Sequence, residues 1–161
     1  MRQLPHSRSC YVCGEANPLG LNLRFETDGR LVRARFTPCA EHNGFKGIVH
    51  GGIIATALDE ILSWACAVQA RRFAFCAELN VRYLNPMPTG AEVLLTAELV
   101  ADRKGRLFEA RGAAQDTAGR KFAEATGKYI PLKHVNVSEL VTDLVGDASW
   151  LLGQHPPPSG H

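Results

Sequence analysis

A chain of 161 residues, of which 45% are hydrophobic and 21% charged, is long enough for one domain with a buried core and too short for two ordinary domains. Its formal net charge of +2 is too small to indicate a nucleic-acid-binding protein. The N-terminus has no apolar signal core and no transmembrane segment is predicted after it, so we expect a cytoplasmic protein whose five cysteines are reduced.

The first third of the chain is predicted to form short extended segments. Residues 21–26 and 31–37 are joined by the turn sequence TDGR, which is typical of a β-hairpin. A loop rich in Gly, Pro and His follows over residues 38–49. This loop leads into the most apolar part of the chain.

Residues 51–69 are predicted to form a helix that is apolar on nearly every face. Its apolar run at 53–68 is broken only by Asp59 and Glu60, and such a helix belongs inside a protein. The run is too short and too charged to cross a bilayer, which takes about 20 mostly apolar residues. Carboxylates in a buried helix must be paired or must serve a function.

Four longer strands are predicted after the helix, at 74–83, 91–101, 106–115 and 120–130. Turn sequences separate them, so consecutive strands are expected to pair antiparallel. A sheet of about six strands and one buried helix predicts an α+β fold in which the sheet wraps the helix.

We expect a single domain over residues 1–135, including a cysteine-containing N-terminal segment. Residues 136–161 are expected to form a C-terminal extension, with a short helix capped by Ser138 and then a disordered Pro-rich tail.

The sequence His50-Gly51-Gly52 opens the helix, and Asp59 follows on the same helix. With the sequence NVRYLNP at 80–86 and the Pro-Thr-Gly turn at 88–90, this order of elements resembles the hotdog-fold acyl-CoA thioesterases of the phenylacetate-pathway (PaaI-like) type, within the 4-hydroxybenzoyl-CoA thioesterase superfamily. The resemblance covers roughly residues 10–132. It implies hydrolysis of an acyl-CoA to a free carboxylic acid and coenzyme A, with no cofactor required for catalysis.

The chemistry of thioester hydrolysis can be assigned to residues without the family. It needs a donor for the developing oxyanion and a group that activates water or attacks the carbonyl. Backbone N–H groups of Gly51 or Gly52 at the helix start fit the first role, and Asp59 fits the second as general base or nucleophile.

The spacing of these two groups predicts the assembly. Eight residues of helix separate Gly51 from Asp59, a rise of about 12 Å, so one chain cannot bring both groups to one carbonyl. We therefore predict a homodimer whose two sites each take the donor from one subunit and the carboxylate from the other. The resemblance implies the same arrangement, and such dimers commonly pair into tetramers.

Three further residues are candidates near the substrate. His50 either helps to position the thioester or only closes the loop by bonding to the backbone. Asn43 is a candidate because relatives often carry an Asn at the next position, which is Gly44 in this chain. Cys76 stands where relatives often have a Ser or Thr that holds the attacking water, or it is simply a small strand residue.

Charged residues complete the candidates. Arg82 is a candidate to bind the phosphates of coenzyme A, as are Lys46, Arg103, Lys104 and Arg106, and the alternative is that these are solvated surface charges. Glu60 lies about 100° around the helix from Asp59, so the two cannot share a role. We expect Glu60 to be exposed or to pair with Arg82.

The cysteines suggest a separate metal site. The pairs Cys10-x-x-Cys13 and Cys39-x-x-His42 have chelating spacings and flank the predicted hairpin. Together they predict a Cys₃His structural zinc site, and the alternative is that these are unlinked reduced cysteines.

Two other functions fit the same sequence. A non-catalytic acyl-CoA-binding or sensing module would keep the pocket and the dimer but would tolerate the loss of Asp59. An acyl-thioester dehydratase or hydratase could share the fold, but such enzymes usually place a His and an acid at other positions.

Overall fold

The computed structural model describes residues 1–133 and 137–152. The predicted Pro-rich tail and the side chain of Ser138 lie outside the described residues. The predicted α+β architecture is confirmed, because one long helix packs against a seven-stranded antiparallel sheet.

The chain forms eleven strands and three helices in its described part. The strands are β1 (Arg2–Gln3), β2 (His6–Ser7), β3 (Phe25–Thr27), β4 (Leu31–Phe36), β5 (Asn43–Phe45), β6 (Ile48–Val49), β7 (Ala74–Tyr83), β8 (Val93–Asp102), β9 (Phe108–Gln115), β10 (Lys121–Pro131) and β11 (Leu144–Val145). The helices are α1 (Gly51–Ala70), α2 (Val137–Thr142) and α3 (Ser149–Leu152), and a single 3₁₀ turn covers Ala40–His42. The main sheet has the order β1-β3-β4-β8-β9-β10-β7.

The predicted N-terminal hairpin is confirmed as β3 and β4, which pair antiparallel. Gly29 in the turn has a φ of 99°, which favours glycine. The first strand is shorter than predicted, because Leu21 and Leu23 donate backbone hydrogen bonds to the carbonyls of Tyr11 and Val12 instead, both at 2.8 Å. This pairing holds the cysteine-containing N-terminal segment against the domain.

The four later strands lie close to their predicted positions, but their pairing differs in one place. β8 pairs with β9 and β9 with β10, as predicted, whereas β7 does not pair with β8. Residues 84–92 carry the chain from the edge of the sheet to its middle, and Pro86 and Pro88 lack the N–H groups that a tight hairpin would use. β7 pairs with β10 on one side only and forms an edge of the main sheet.

Helix α1 forms the centre of the core and packs against β4, β7, β8, β9 and β10. It has 20 residues, longer than the apolar run indicated, and by length and apolar composition alone it could cross a bilayer. Ten of its residues are buried, with Leu58, Ile61 and Leu62 fully so. Each of these three side chains contributes about 1.5–3 kcal/mol to folding. The prediction of a buried helix wrapped by the sheet is confirmed.

The C-terminal elements pack on the N-terminal segment. β11 pairs with β2, and the carboxylate of Asp143 accepts hydrogen bonds from the hydroxyls of Ser7 and Ser9 and from the Ser9 N–H. These donors, the Ser7 hydroxyl first, lower the pKa of Asp143 to about 2. The guanidinium of Arg2 lies 4.9 Å from the centre of the Trp150 ring. The N-terminal segment is thereby held between α1 and the C-terminal elements.

Candidate active site

The start of α1 presents one backbone donor that the chain itself does not use. His50 is the N-cap, and its Nδ1 accepts a hydrogen bond from the Gly52 N–H at 2.9 Å. The N–H of Gly51 has no acceptor among the described residues. Of the two predicted oxyanion donors, Gly51 is therefore the available one, at the positive end of the helix dipole.

The capping bond also determines the tautomer of His50. Because Nδ1 accepts, the neutral ring carries its proton on Nε2. The side chain is exposed, so the Nε2–H can donate to a ligand. Sequence analysis offered bonding to the backbone as the alternative to a role at the thioester. This bond is present, and it leaves the Nε2–H of His50 without a partner in the described chain.

An apolar cleft of about 620 Å³ lies beside the helix start. Gly51 and His50 line it together with apolar side chains that include Phe45, Ile54 and Met87. A cleft of this size and character accommodates a small-molecule ligand.

Tyr83 from β7 forms part of the cleft and contacts the helix start. Its hydroxyl donates to the Gly51 carbonyl at 2.7 Å. A Cβ added at Gly51 would lie 3.2 Å from the Tyr83 ring, so glycine lets the ring pack closely. Sequence analysis did not identify Tyr83 as a site residue. Its contact with Gly51 depends on how β7 packs against α1, which the sequence does not show.

Asp59 lies in the middle of α1 and is partly buried. The hydroxyl of Tyr129 donates to Asp59 Oδ1 at 2.9 Å and to its backbone carbonyl at 3.1 Å. Burial, and then the charge of Asp59, raise the pKa of Tyr129, so the phenol remains a donor at neutral pH. Tyr129, on β10, was also missed by sequence reasoning, and it holds the carboxylate in one orientation.

Cys76 on β7 lies beside Asp59 and Tyr129. It lies opposite Tyr129 in the β7–β10 pairing, and its thiol interacts with Asp59. Burial, and then the interaction with Asp59, raise the pKa of Cys76 to about 11. The thiol is therefore protonated at neutral pH, which is unlike a cysteine nucleophile.

Asn43 and Arg82, two other predicted site residues, do not line the cleft. Asn43 is on β5, outside the residues that line the cleft, and its buried Oδ1 has no hydrogen-bond donor in the described chain. Arg82 and Tyr83 are successive strand residues and point to opposite faces of the sheet. Arg82 lines a separate cavity of about 450 Å³, together with Arg111 and Lys121.

The prediction that Glu60 is exposed or pairs with Arg82 is wrong, because Glu60 is partly buried against other residues. Glu60 Oε1 accepts from the Trp64 indole N–H at 3.2 Å and lies 3.4 Å from Cys13 Sγ and 3.8 Å from Cys10 Sγ. Burial, and then the charge of Cys10, raise the pKa of Glu60 to about 7. Glu60 points to the N-terminal segment, whereas Arg82 lies on the outer face of the sheet.

The predicted Cys₃His ligand set is also wrong, because the two pairs lie in different places. Cys39 Sγ is 3.5 Å from His42 Nδ1, but neither atom is within ligand distance of Cys10 or Cys13. The backbone of His42 bonds to His50 at the start of α1. The other cysteine pair contacts α1 about 15 Å further along its axis.

Part of the chain is similar to known thioesterases. Residues 46–108, which include the cleft-lining helix start and Asp59, match the family model of the thioesterase superfamily. The chain is 27% identical over 85 residues to acyl-coenzyme A thioesterase 13 of Mus musculus, a match that covers 52% of this chain and 61% of that protein. The match thus spans about three fifths of the length of this relative.

Solved structures show the same fold. Protein RHA08564, a thioesterase superfamily protein, superposes with a TM-score of 0.71 and 30% identity, covering 76% of this chain and 63% of that chain. The E. coli PaaI protein from the phenylacetic acid degradation operon superposes with a TM-score of 0.64 and 18% identity, covering 70% of this chain and 81% of that chain. These matches show that the chain has the hotdog fold and that residues 46–108 are similar to the thioesterase superfamily.

Proposed function

We propose that this protein is an acyl-CoA thioesterase that hydrolyses a thioester to a free carboxylic acid and coenzyme A. The observation that carries the proposal is the pair of groups on α1. An unused Gly51 N–H adjoins an apolar cleft, and a carboxylate at Asp59 is oriented by Tyr129. The name of the related acyl-coenzyme A thioesterase supports acyl-CoA as the substrate class.

The Gly51 N–H acts as the oxyanion donor. It donates to the thioester carbonyl oxygen, and the bond strengthens as negative charge develops there during attack. The Nε2–H of His50 supplies a second donor from the same end of the helix. The apolar cleft suits the acyl chain or the thioester-bearing arm, and Arg82 on the outer face of the sheet is available to the phosphates of coenzyme A.

Asp59 of the other subunit supplies the attacking group by one of two routes. As a general base it takes a proton from water, whose oxygen then bonds to the carbonyl carbon. As a nucleophile its own oxygen bonds to that carbon, and water then hydrolyses the resulting anhydride. In both routes the carbon–sulfur bond breaks and the coenzyme A thiolate leaves. Tyr129 and Cys76 are positioning residues for the carboxylate, and no cofactor takes part.

A homodimer completes the site in this proposal. β7 is a ten-residue edge strand. The unpaired N–H and C=O groups of an edge of this length can pair with a second copy of the chain. Phe75 and Tyr83 on this strand are 49% and 52% exposed. Pairing of two β7 strands about a two-fold axis would set the α1 helices antiparallel, with Gly51 of one near Asp59 of the other. Two such dimers could then form a tetramer.

Replacing Asp59 tests the enzyme assignment. We expect the wild-type protein to release free thiol from at least one class in a panel of short, medium, long and aromatic acyl-CoAs. Asp59→Asn should lower kcat by about 10²–10⁴-fold, because the amide can neither accept the proton nor attack. Single turnover in ¹⁸O-water tests the nucleophilic route, since an anhydride opened by water at the Asp59 carbonyl leaves a ¹⁶O of Asp59 in the first product.

The control for this experiment is substrate binding by the variant. Asp59→Asn should bind the same acyl-CoA and unfold at the wild-type temperature. An unchanged kcat would contradict the role of Asp59. Binding without thiol release by the wild type across the whole panel would instead indicate an acyl-CoA-binding module.

The donor role of Gly51 can be isolated with a pair of variants. Proline is tolerated at the first position of a helix, and His50 has φ −62° and ψ 135°, which is the conformation favoured before proline. Gly51→Pro removes the backbone N–H. Gly51→Ala also adds a Cβ but keeps the backbone N–H. We expect the proline variant to lose about 10²–10³-fold in kcat relative to the alanine variant. Equal kcat values for the two would exclude the N–H as the donor.

The two roles of His50 can be separated in the same way. Asparagine is a good N-cap and alanine a poor one, so His50→Ala should lose about 0.5–2 kcal/mol of stability and His50→Asn little. Because neither variant retains the Nε2–H, we expect both to lower kcat by about 10²-fold. Thermal unfolding and steady-state kinetics provide the two readouts. Wild-type kinetics in a folded His50→Asn protein would leave capping as its only role.

Mixed dimers test the shared site. Asp59→Asn and Gly51→Pro homodimers should both be inactive, but a mixed dimer carries one site in which both groups are intact. Random exchange between equal amounts should restore about a quarter of the wild-type sites. Light scattering measures the assembly before and after exchange. Recovery of no activity, with mixed dimers demonstrated by differently tagged subunits, would contradict a site built from two chains.

A further inference from the structure

Cys10, Cys13 and Glu60 form a cluster that the proposed hydrolysis does not use. Their ligand atoms all lie within 4.8 Å of one another, the one such group of three or more among the described residues. The cluster joins two parts of the chain that are distant in sequence, since the cysteines lie in the N-terminal segment and Glu60 lies on α1. Its members are partly or fully buried.

The distances within the cluster match the dimensions of a metal site. Zn²⁺ binds thiolate sulfur at about 2.3 Å and carboxylate oxygen at about 2.0–2.2 Å with tetrahedral angles, which places sulfur and oxygen about 3.5 Å apart. Glu60 Oε1 lies 3.4 Å from Cys13 Sγ and 3.8 Å from Cys10 Sγ. A cation would therefore fit between the three ligands with only small adjustments of the side chains.

The loop between the two cysteines is built to direct both sulfurs to one side. The N–H groups of Val12 and Cys13 donate to Cys10 Sγ at 3.2 and 3.4 Å, and the Gly14 N–H donates to the Cys10 carbonyl at 2.9 Å. A Cβ at Gly14 would clash with the backbone oxygens of Arg8 and Cys10. The loop is thus tight and requires glycine, and its N–H groups stabilise negative charge on the sulfur of Cys10.

The charge of the cluster also points to a cation. Two thiolates and a carboxylate are three anionic ligands when deprotonated, yet Glu60 forms no salt bridge within residues 1–133 and 137–152. The indole N–H of Trp64 donates to Glu60 Oε1 at 3.2 Å and holds the carboxylate towards the cysteines. Such an orienting hydrogen bond is common around metal ligands.

We propose that Cys10, Cys13 and Glu60 bind one thiophilic divalent cation, Zn²⁺, which ties the N-terminal segment to α1. The fourth ligand would be water, because a cavity of about 200 Å³ lined by Cys13, Glu60 and Ser63 adjoins the cluster. The site is separate from the cleft at the helix start, and it holds α1 at the residue next to Asp59. The proposal is independent of the proposed thioesterase activity.

The test is Zn²⁺ binding by the full chain, purified under reducing conditions and depleted of metal by a chelator. After Zn²⁺ is added back and the excess is removed, we expect one Zn²⁺ per chain by elemental analysis, and a higher unfolding temperature with Zn²⁺ than without it. Cys10→Ser and Glu60→Gln each remove one ligand and should weaken binding by more than about 100-fold, beyond the usual effect of outer-shell changes. Their unfolding temperatures should no longer respond to Zn²⁺.

Cys39→Ser is the matched control, because Cys39 is a thiol beside His42 and away from the cluster. It should bind Zn²⁺ as the wild type does. Co²⁺ gives a second readout, since thiolate-to-cobalt absorption should appear in the wild type and the control and should fall by about half in Cys10→Ser.

Two results would overturn the proposal. One is a reduced, folded wild-type chain that binds neither Zn²⁺ nor Co²⁺. The other is loss of metal in Cys39→Ser with retention in Cys10→Ser. Should Cys10→Ser fail to fold, Glu60→Gln and the reversible chelation of the wild type decide between these outcomes.

Discussion

The packing of α1 against the sheet is the constraint on which the other features depend. Five strands contact this helix, and its fully buried residues leave it no freedom to move along or turn about its axis. Gly51 and Asp59 are therefore held at a fixed separation on one rigid element. A pair of groups about 12 Å apart on one helix cannot serve one carbonyl, so the mechanism proposed above takes its second group from another chain.

Two tyrosines connect the sheet to the candidate catalytic groups. Tyr83 contacts the start of α1 through the Gly51 carbonyl, and Tyr129 contacts its middle through Asp59. They stand on β7 and β10, which are neighbours at the edge of the sheet. The register between these two strands therefore determines whether both hydroxyls face α1, because a slip of one residue in either strand would turn its tyrosine to the other face.

The N-terminal segment adds a second layer to the same helix. It is held by backbone bonds to residues 21 and 23, by the C-terminal elements through Asp143, and by the cysteine contacts with Glu60. Asp59 faces the sheet residues Tyr129 and Cys76, whereas its neighbour Glu60 faces this segment. Adjacent acids on one helix thus have unlike surroundings, because a step of one residue turns the side chain by about 100°.

Features set by local patterns could be predicted from the sequence alone. The helix from Gly51, the β3–β4 hairpin and the approximate bounds of the later strands follow from apolar periodicity and turn residues, which act over a few residues. The candidate roles of Gly51 and Asp59 also follow, because both lie on one predicted helix. Only the tertiary structure decided that β7 is an edge strand, that Tyr83 and Tyr129 contact α1, and that Glu60 meets Cys10 and Cys13 rather than Arg82. These contacts join residues far apart in the sequence, and they depend on how the whole sheet packs on the helix, which no local pattern encodes.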